Sequence, residues 1–147
     1  MHDLLHRRSV RRAALLVFIP LLLLWTWKLL DPHPVPEQLR EFLSFWDWLP
    51  FVLAKCLHTG CYAFLTALAL VWVPTRRGKV LAVGFMLLHG IGTEIGQTYV
   101  PNRSGSVKDV LIDSTGVFLG VMAIRHVNRL GTLDEGLRRR EELCQHH

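Results

Sequence analysis

The chain has 147 residues, half of them hydrophobic, with a mean hydropathy of +0.27 and a formal net charge of +5. That length suits one domain, and the apolar residues are gathered in blocks, unlike the spread pattern of a soluble fold. The positive charge does not mark a nucleic-acid binder, because the basic residues flank the apolar blocks and do not line one face.

Residues 1–12 form a basic lead-in with Arg7, Arg8, Arg11 and Arg12. The run 13–30, AALLVFIPLLLLWTWKLL, follows it. At 18 residues and about 1.5 Å per residue it nearly covers a hydrocarbon core of roughly 30 Å. WTWKLLDPHP follows with no small-x-small cleavage site, so the run reads as an uncleaved membrane helix and not as a signal peptide. Pro20 is expected to bend it, and Trp25, Trp27 and Lys28 to form an interfacial belt at its far end.

DPHPVP at 31–36 cannot continue a helix. The segment 37–49, EQLREFLSFWDWL, has Leu39, Phe42, Leu43, Phe45 and Trp46 mostly on one face and Glu37, Arg40, Glu41 and Ser44 on the other. It reads either as a short amphipathic helix on the outer membrane face or as a loop whose aromatics pack on a bundle.

Two further runs, 51–73 and 80–100, hold 23 and 21 residues and are joined by a tight turn, PTRRGK. A fourth, 107–124, is weaker, with Lys108, Asp109 and Asp113 in its first two turns. Charge placement argues for including it. With four spans, twelve of the 17 Lys and Arg fall on one side and only Arg40, Arg103 and Lys108 on the other, while Lys28 and Lys55 lie within helices. This matches the positive-inside rule with both termini cytoplasmic. The expected fold is therefore an all-α, integral membrane four-helix bundle spanning 13–124. The polar segment 125–147 is a cytoplasmic tail in which Glu135 and Arg139 are spaced i, i+4.

The ionisable groups within these runs share a depth. Lys55 and His58 lie about 6 and 10 Å below the outer start of the second run. Glu94 lies about 9 Å before the end of the third, and Gln97 about half that. Asp109 and Asp113 lie about 3 and 9 Å into the fourth. Faces agree as well: Asp109, Asp113, Gly116 and Gly120 form one stripe, acidic above and Gly-xxx-Gly below. The third run carries Gly92-xxx-Gly96, and Lys55, His58, Thr59 and Tyr62 share a face of the second. The loop VPNRSGS adds Arg103, Ser104 and Ser106, with turn chemistry at Asn102 and Gly105. The default partner of Arg103 or Lys55 is Glu94 or Asp113.

Each group also has a plainer role. Ser106-x-x-Asp109 is a capping-box-like helix start. Glu94, Asp113 and Lys55 are not expected as caps, and a structural ion-pair network is their alternative to a binding site. His58 is a network member or a proton carrier, and His89, near mid-span, is an interhelical hydrogen bonder. Cys56 and Cys61 read as packing residues, and with Cys144 they imply neither a disulfide framework nor a metal motif. No metal site and no cofactor is expected.

Four elements in order resemble the VanZ-like family of small bacterial membrane proteins. They are Lys55-x-x-His58-x-x-x-Tyr62, Glu94-x-x-Gln97, the loop Arg103 with its serines, and Asp109-x-x-x-Asp113-x-x-Gly116-x-x-x-Gly120. The likeness covers roughly 51–124. One position departs: Asp113 stands where the family usually has Asn, which adds a carboxylate. The resemblance implies a multi-pass protein of the bacterial cytoplasmic membrane. It also implies a link to envelope biology or to the glycopeptide (teicoplanin) resistance that accompanies the best-known members.

The candidate site is then Lys55, His58, Glu94, Gln97, Arg103, Ser104, Asp109 and Asp113. The leading expectation is a non-enzymatic pocket in the outer leaflet for an anionic amphiphile: a lipid headgroup, an envelope precursor or a lipoglycopeptide. Membrane lipids are the expected partners, and nucleic acid is not. An enzyme on a lipid-linked substrate is the alternative, with Glu94 or His58 as base, Arg103 as phosphate clamp and a divalent ion on Glu94, Asp109 and Asp113 as an optional addition. No Ser-x-x-Lys, His-Glu-x-x-His or phosphatase signature accompanies it. A proton path is the third reading, and only His89 and Thr66 offer polar groups below the layer.

Overall fold

A computed structural model of the chain describes residues 2–33 and 48–145. Among these residues the protein is all-helical. Helix α1 runs His2–Leu30, α2 Leu49–Trp72, α3 Arg76–Gln97 and α4 Val107–Gln145. The segment 37–49 lies outside the described residues except for its last two.

The breakers act where expected, but the helices run further into polar sequence. Residues 2–12 contain no Pro or Gly, so the helix nucleated in the apolar run propagates back through them. The same holds beyond Ile124, where α4 continues through the polar segment to Gln145 across Gly131 and Gly136. Each of those glycines costs about 1 kcal/mol relative to Ala, which helix-favouring Leu and Arg neighbours offset. The turn between α2 and α3 is shorter than PTRRGK suggests. Pro74 ends α2, and the Thr75 side chain caps α3 by accepting the Gly78 N–H at 3.1 Å.

Cross-helix pairs set the topology. Lys55 meets Asp109, His58 meets Asp113, and Gly120 lies against Ala63 and Thr66, so α2 and the first half of α4 run in the same direction. Glu94 meets Ser106 and Gln97 meets Leu29, which sets α3 antiparallel to α4 and parallel to α1. The glycine stripe of α4 is required by this packing. A Cβ at Gly116 would lie 2.4 Å from the Thr59 carbonyl oxygen, and one at Gly120 would lie 2.4 Å from that of Ala63. The Gly92-xxx-Gly96 pair of α3 behaves differently. Gly92 faces open space and Gly96 faces Leu30 of α1.

The distribution of side chains is inverted relative to a soluble protein. Leu16 and Leu81 are each 73 % exposed and Phe118 61 %, whereas Glu94 and Asp113 are only 4 % and 2 % exposed. A surface of that kind is stable against hydrocarbon and unstable against water. α1 (over Arg8–Leu30), α2 and α3 are each long and apolar enough to cross a membrane. Phe18, Leu29, Tyr62, Leu65, Ala69, Met86 and Val117 form the apolar core between them.

Candidate functional site

The site is built at the end of the bundle that carries the 98–106 connection. That connection is held by two backbone constraints. Asn102 adopts φ 62°, a left-handed conformation that Asn tolerates better than most residues. Gly105 sits so close to the end of α3 that a Cβ there would lie 2.0 Å from the Glu94 carbonyl oxygen.

Two of the expected site residues secure α1. Arg103 donates from Nε to the Asp31 carbonyl at 3.1 Å and from Nη2 to the Lys28 carbonyl at 3.3 Å. Gln97 donates from Nε2 to the Leu29 carbonyl at 3.1 Å. The last carbonyls of a helix have no partners within it, and these two side chains supply them. Arg103 therefore does not pair with Glu94 or Asp113. Just past α1, Asp31 accepts from Lys28 Nζ at 3.1 Å and from the His33 N–H at 3.0 Å. The His33 N–H, and after it Lys28, hold its carboxyl below the ordinary carboxylate value.

The second layer holds the ion pairs. Lys55 pairs with Asp109, neither with Glu94 nor with Asp113. His58 Nδ1 lies 3.0 Å from Asp113 Oδ1. Glu94 Oε2 accepts the backbone N–H of Ser106 at 2.8 Å. The helix start at Ser106 is a cap as expected, with its hydroxyl accepting the Lys108 N–H at 3.2 Å. The reciprocal bond of a capping box, however, comes from Glu94 of another helix, while Asp109 turns to Lys55. Glu94 thus does act as a cap, contrary to expectation, because tertiary packing brings its carboxylate to the N-cap backbone. Ser104 is exposed on the loop and takes no part in the cluster.

A third layer lies beneath. The Tyr62 hydroxyl is 3.1 Å from His89 Nδ1 and 3.2 Å from the Thr93 hydroxyl, and His89 Nε2 is 2.8 Å from the Thr26 hydroxyl. Thr26 donates to the Leu22 carbonyl at 2.7 Å, so it accepts from His89. That puts the imidazole proton on Nε2 and leaves Nδ1 to accept from Tyr62. His89 is the interhelical bonder its position suggested. Thr26 and Thr93 were not legible as its neighbours, because hydroxyls in an apolar run carry no signal of their own. Trp25 also departs from expectation. It is turned inward, edge-on to His58 at 5.4 Å and to Tyr62 at 6.4 Å between ring centres, and only Trp27 stays outside with Lys28 over its ring.

Two carboxylate oxygens remain buried without a hydrogen-bond partner, Glu94 Oε1 and Asp113 Oδ2. Together with a His58 nitrogen, ligand atoms of Glu94 and Asp113 all lie within 4.8 Å of one another. An apolar groove of about 430 Å³ at the opposite end, lined by Phe18, Trp72, Leu81 and Phe85 among others, contains no ionisable group. The chemistry sits in the polar cluster and not in that groove.

Apolar helices outside and an ordered polar cluster within define a helical protein of the membrane-spanning kind. The VanZ/LLP1 family model matches residues 7–128, well beyond the motif region 51–124, and the chain belongs to that family. No curated protein and no solved structure is significantly similar to it.

Proposed function

We propose that the chain crosses the bacterial cytoplasmic membrane four times with both ends inside, and that its outer polar end binds the headgroup of an anionic amphiphile. The twelve-to-three bias of basic residues supports the orientation. The fourth crossing is supported by the apolar outward face of α4, where Leu111, Phe118, Leu119 and Met122 are exposed alongside α2. A cysteine placed at Asn102, in a chain whose own cysteines are replaced, should react with an impermeant maleimide added outside intact cells. Labelling only after the cytoplasm is opened would overturn the orientation.

The observation that carries the binding reading is the rim of that end. Among the described residues, Lys28, Lys55, Arg103 and Lys108 stand there against Asp31 and Asp109, an excess of two positive charges above the buried carboxylates. A phosphate or carboxylate at headgroup depth would meet this excess, with acyl chains along the exposed leucines and phenylalanines. Lipids, an envelope precursor and a lipoglycopeptide all share that chemistry, and the family's association with glycopeptide resistance points to the envelope. Purified chain should retain phosphatidylglycerol over phosphatidylcholine, and Lys108→Gln with Lys55→Gln should lose the preference at normal membrane abundance. Equal retention of both lipids by the unaltered chain would sink the reading.

One observation favours a second reading. Asp113 orients His58 as a carboxylate orients a general base, which suits chemistry on a lipid-linked substrate. Turnover of a labelled envelope lipid by the purified chain, abolished by His58→Gln, would establish it over simple binding.

A further inference from the structure

We propose that His58, Glu94 and Asp113 bind a divalent transition-metal ion, in a site that does not depend on the headgroup reading. The three residues come from α2, α3 and α4, so no sequence spacing announces them. Their ligand atoms already lie within 4.8 Å of one another. For metal–ligand bonds of about 2.0–2.2 Å, adjacent donors stand about 3–3.5 Å apart. His58 Nδ1 and Asp113 Oδ1, hydrogen-bonded at 3.0 Å, have that separation, and an ion would take the place of the proton between them.

The independent observation is the pair of orphaned oxygens. Glu94 and Asp113 are each more than nine-tenths buried, and Glu94 Oε1 and Asp113 Oδ2 have no partner. A buried carboxylate oxygen without a donor is costly, and a metal ion is one of the few groups that satisfies two at once. Of the neighbouring donors, the Trp25 indole N–H is itself without a partner, and the others are committed elsewhere. Lys55 serves Asp109, Arg103 and Gln97 serve α1, and the Tyr62 hydroxyl lies between His89 and Thr93. Two carboxylates beside one imidazole leave a charge of about −2 with the ring neutral, which a divalent ion balances.

The donor set also selects the ion. One nitrogen and two carboxylates suit zinc, manganese or iron(II) better than calcium or magnesium, which prefer oxygen throughout. Support around the ligands is present. The Ser106 N–H holds the other oxygen of Glu94, and the Trp25 edge packs on His58.

The test uses the full chain in detergent, stripped with EDTA and titrated with Co²⁺ and with Mn²⁺. One equivalent should bind, the Co²⁺ form showing ligand-field bands without a thiolate charge-transfer band. Asp113→Asn and Glu94→Gln, which keep shape and hydrogen bonding, should each weaken binding at least about tenfold, and His58→Gln likewise. Gly92→Ala, which meets nothing within 4 Å, should bind as the unaltered chain does. Failure of the unaltered chain to bind either ion would overturn the proposal and assign the orphaned oxygens to a shared proton. Binding undiminished by the three substitutions would overturn it too, placing the ion on the thiols or tail histidines. Both readouts are independent of lipid retention.

Discussion

Glu94 Oε2 accepts the backbone N–H of Ser106 at 2.8 Å, so a side chain on α3 completes the cap at the start of α4. The bond closes the 98–106 connection on itself just where Gly105 presses on the Glu94 backbone. It ties the two helices that carry most of the acidic groups, and it makes Glu94 a structural residue whatever else it does.

Glu94→Ala should destabilise the bundle by about 1–2 kcal/mol, because the half-buried Ser106 N–H is left without its acceptor. Glu94→Gln keeps an acceptor oxygen and should recover most of that loss. Thermal unfolding in detergent distinguishes the two, and equal melting of both variants would contradict the capping role.

The two Gly-xxx-Gly pairs should respond oppositely to alanine. Gly116→Ala and Gly120→Ala drive a methyl into α2 backbone carbonyls and should cost about 1–3 kcal/mol or abolish accumulation in the membrane. Gly92→Ala meets nothing within 4 Å and should be neutral or stabilising by up to about 1 kcal/mol. Abundance and melting temperature are read together.

Lys55 and Asp109 should show a coupling energy on the order of 1 kcal/mol in a double-mutant cycle of Lys55→Gln and Asp109→Asn, the pair being partly exposed. Lys55 and Glu94 should show none beyond error. A larger coupling to Glu94 would mean that the pairing has been read wrongly.

Tyr62→Phe removes the hydroxyl between His89 and Thr93 and should cost about 1–2 kcal/mol. Thr66→Val, in the same core, should be neutral or stabilising, since the Thr66 hydroxyl is buried without a partner. The contrast is measured by melting the two variants side by side.

Asp31 sets an acid limit on the α1 end. Its carboxyl is held below the ordinary 3.8 by the His33 N–H and by Lys28, so its contribution to stability is complete above that value. The contribution is lost as pH falls through the lower folded-state value. Asp31→Asn should therefore melt slightly lower than the unaltered chain near neutrality, and the difference should vanish as pH falls below about 4.

Much of this protein was readable without coordinates. Apolar runs long enough for a bilayer, bounded by Pro74 and by the Asn102–Gly105 turn, determined where the helices lie, since backbone groups in apolar surroundings must be satisfied within the segment. Counting residues from those boundaries also placed Lys55, His58, Glu94, Asp109 and Asp113 at a common level, because helical rise converts sequence position directly into depth. Depth says nothing of direction around the bundle. Which groups meet at that level depends on how the helices rotate and approach, and that is set by the glycine contact of Gly116 and Gly120 with α2, by Gly105 against α3, and by Arg103 and Gln97 on the end of α1. Only the packed structure decided that Lys55 takes Asp109, that His58 takes Asp113, that Glu94 caps α4, and that one oxygen each of Glu94 and Asp113 is buried without a hydrogen-bond partner.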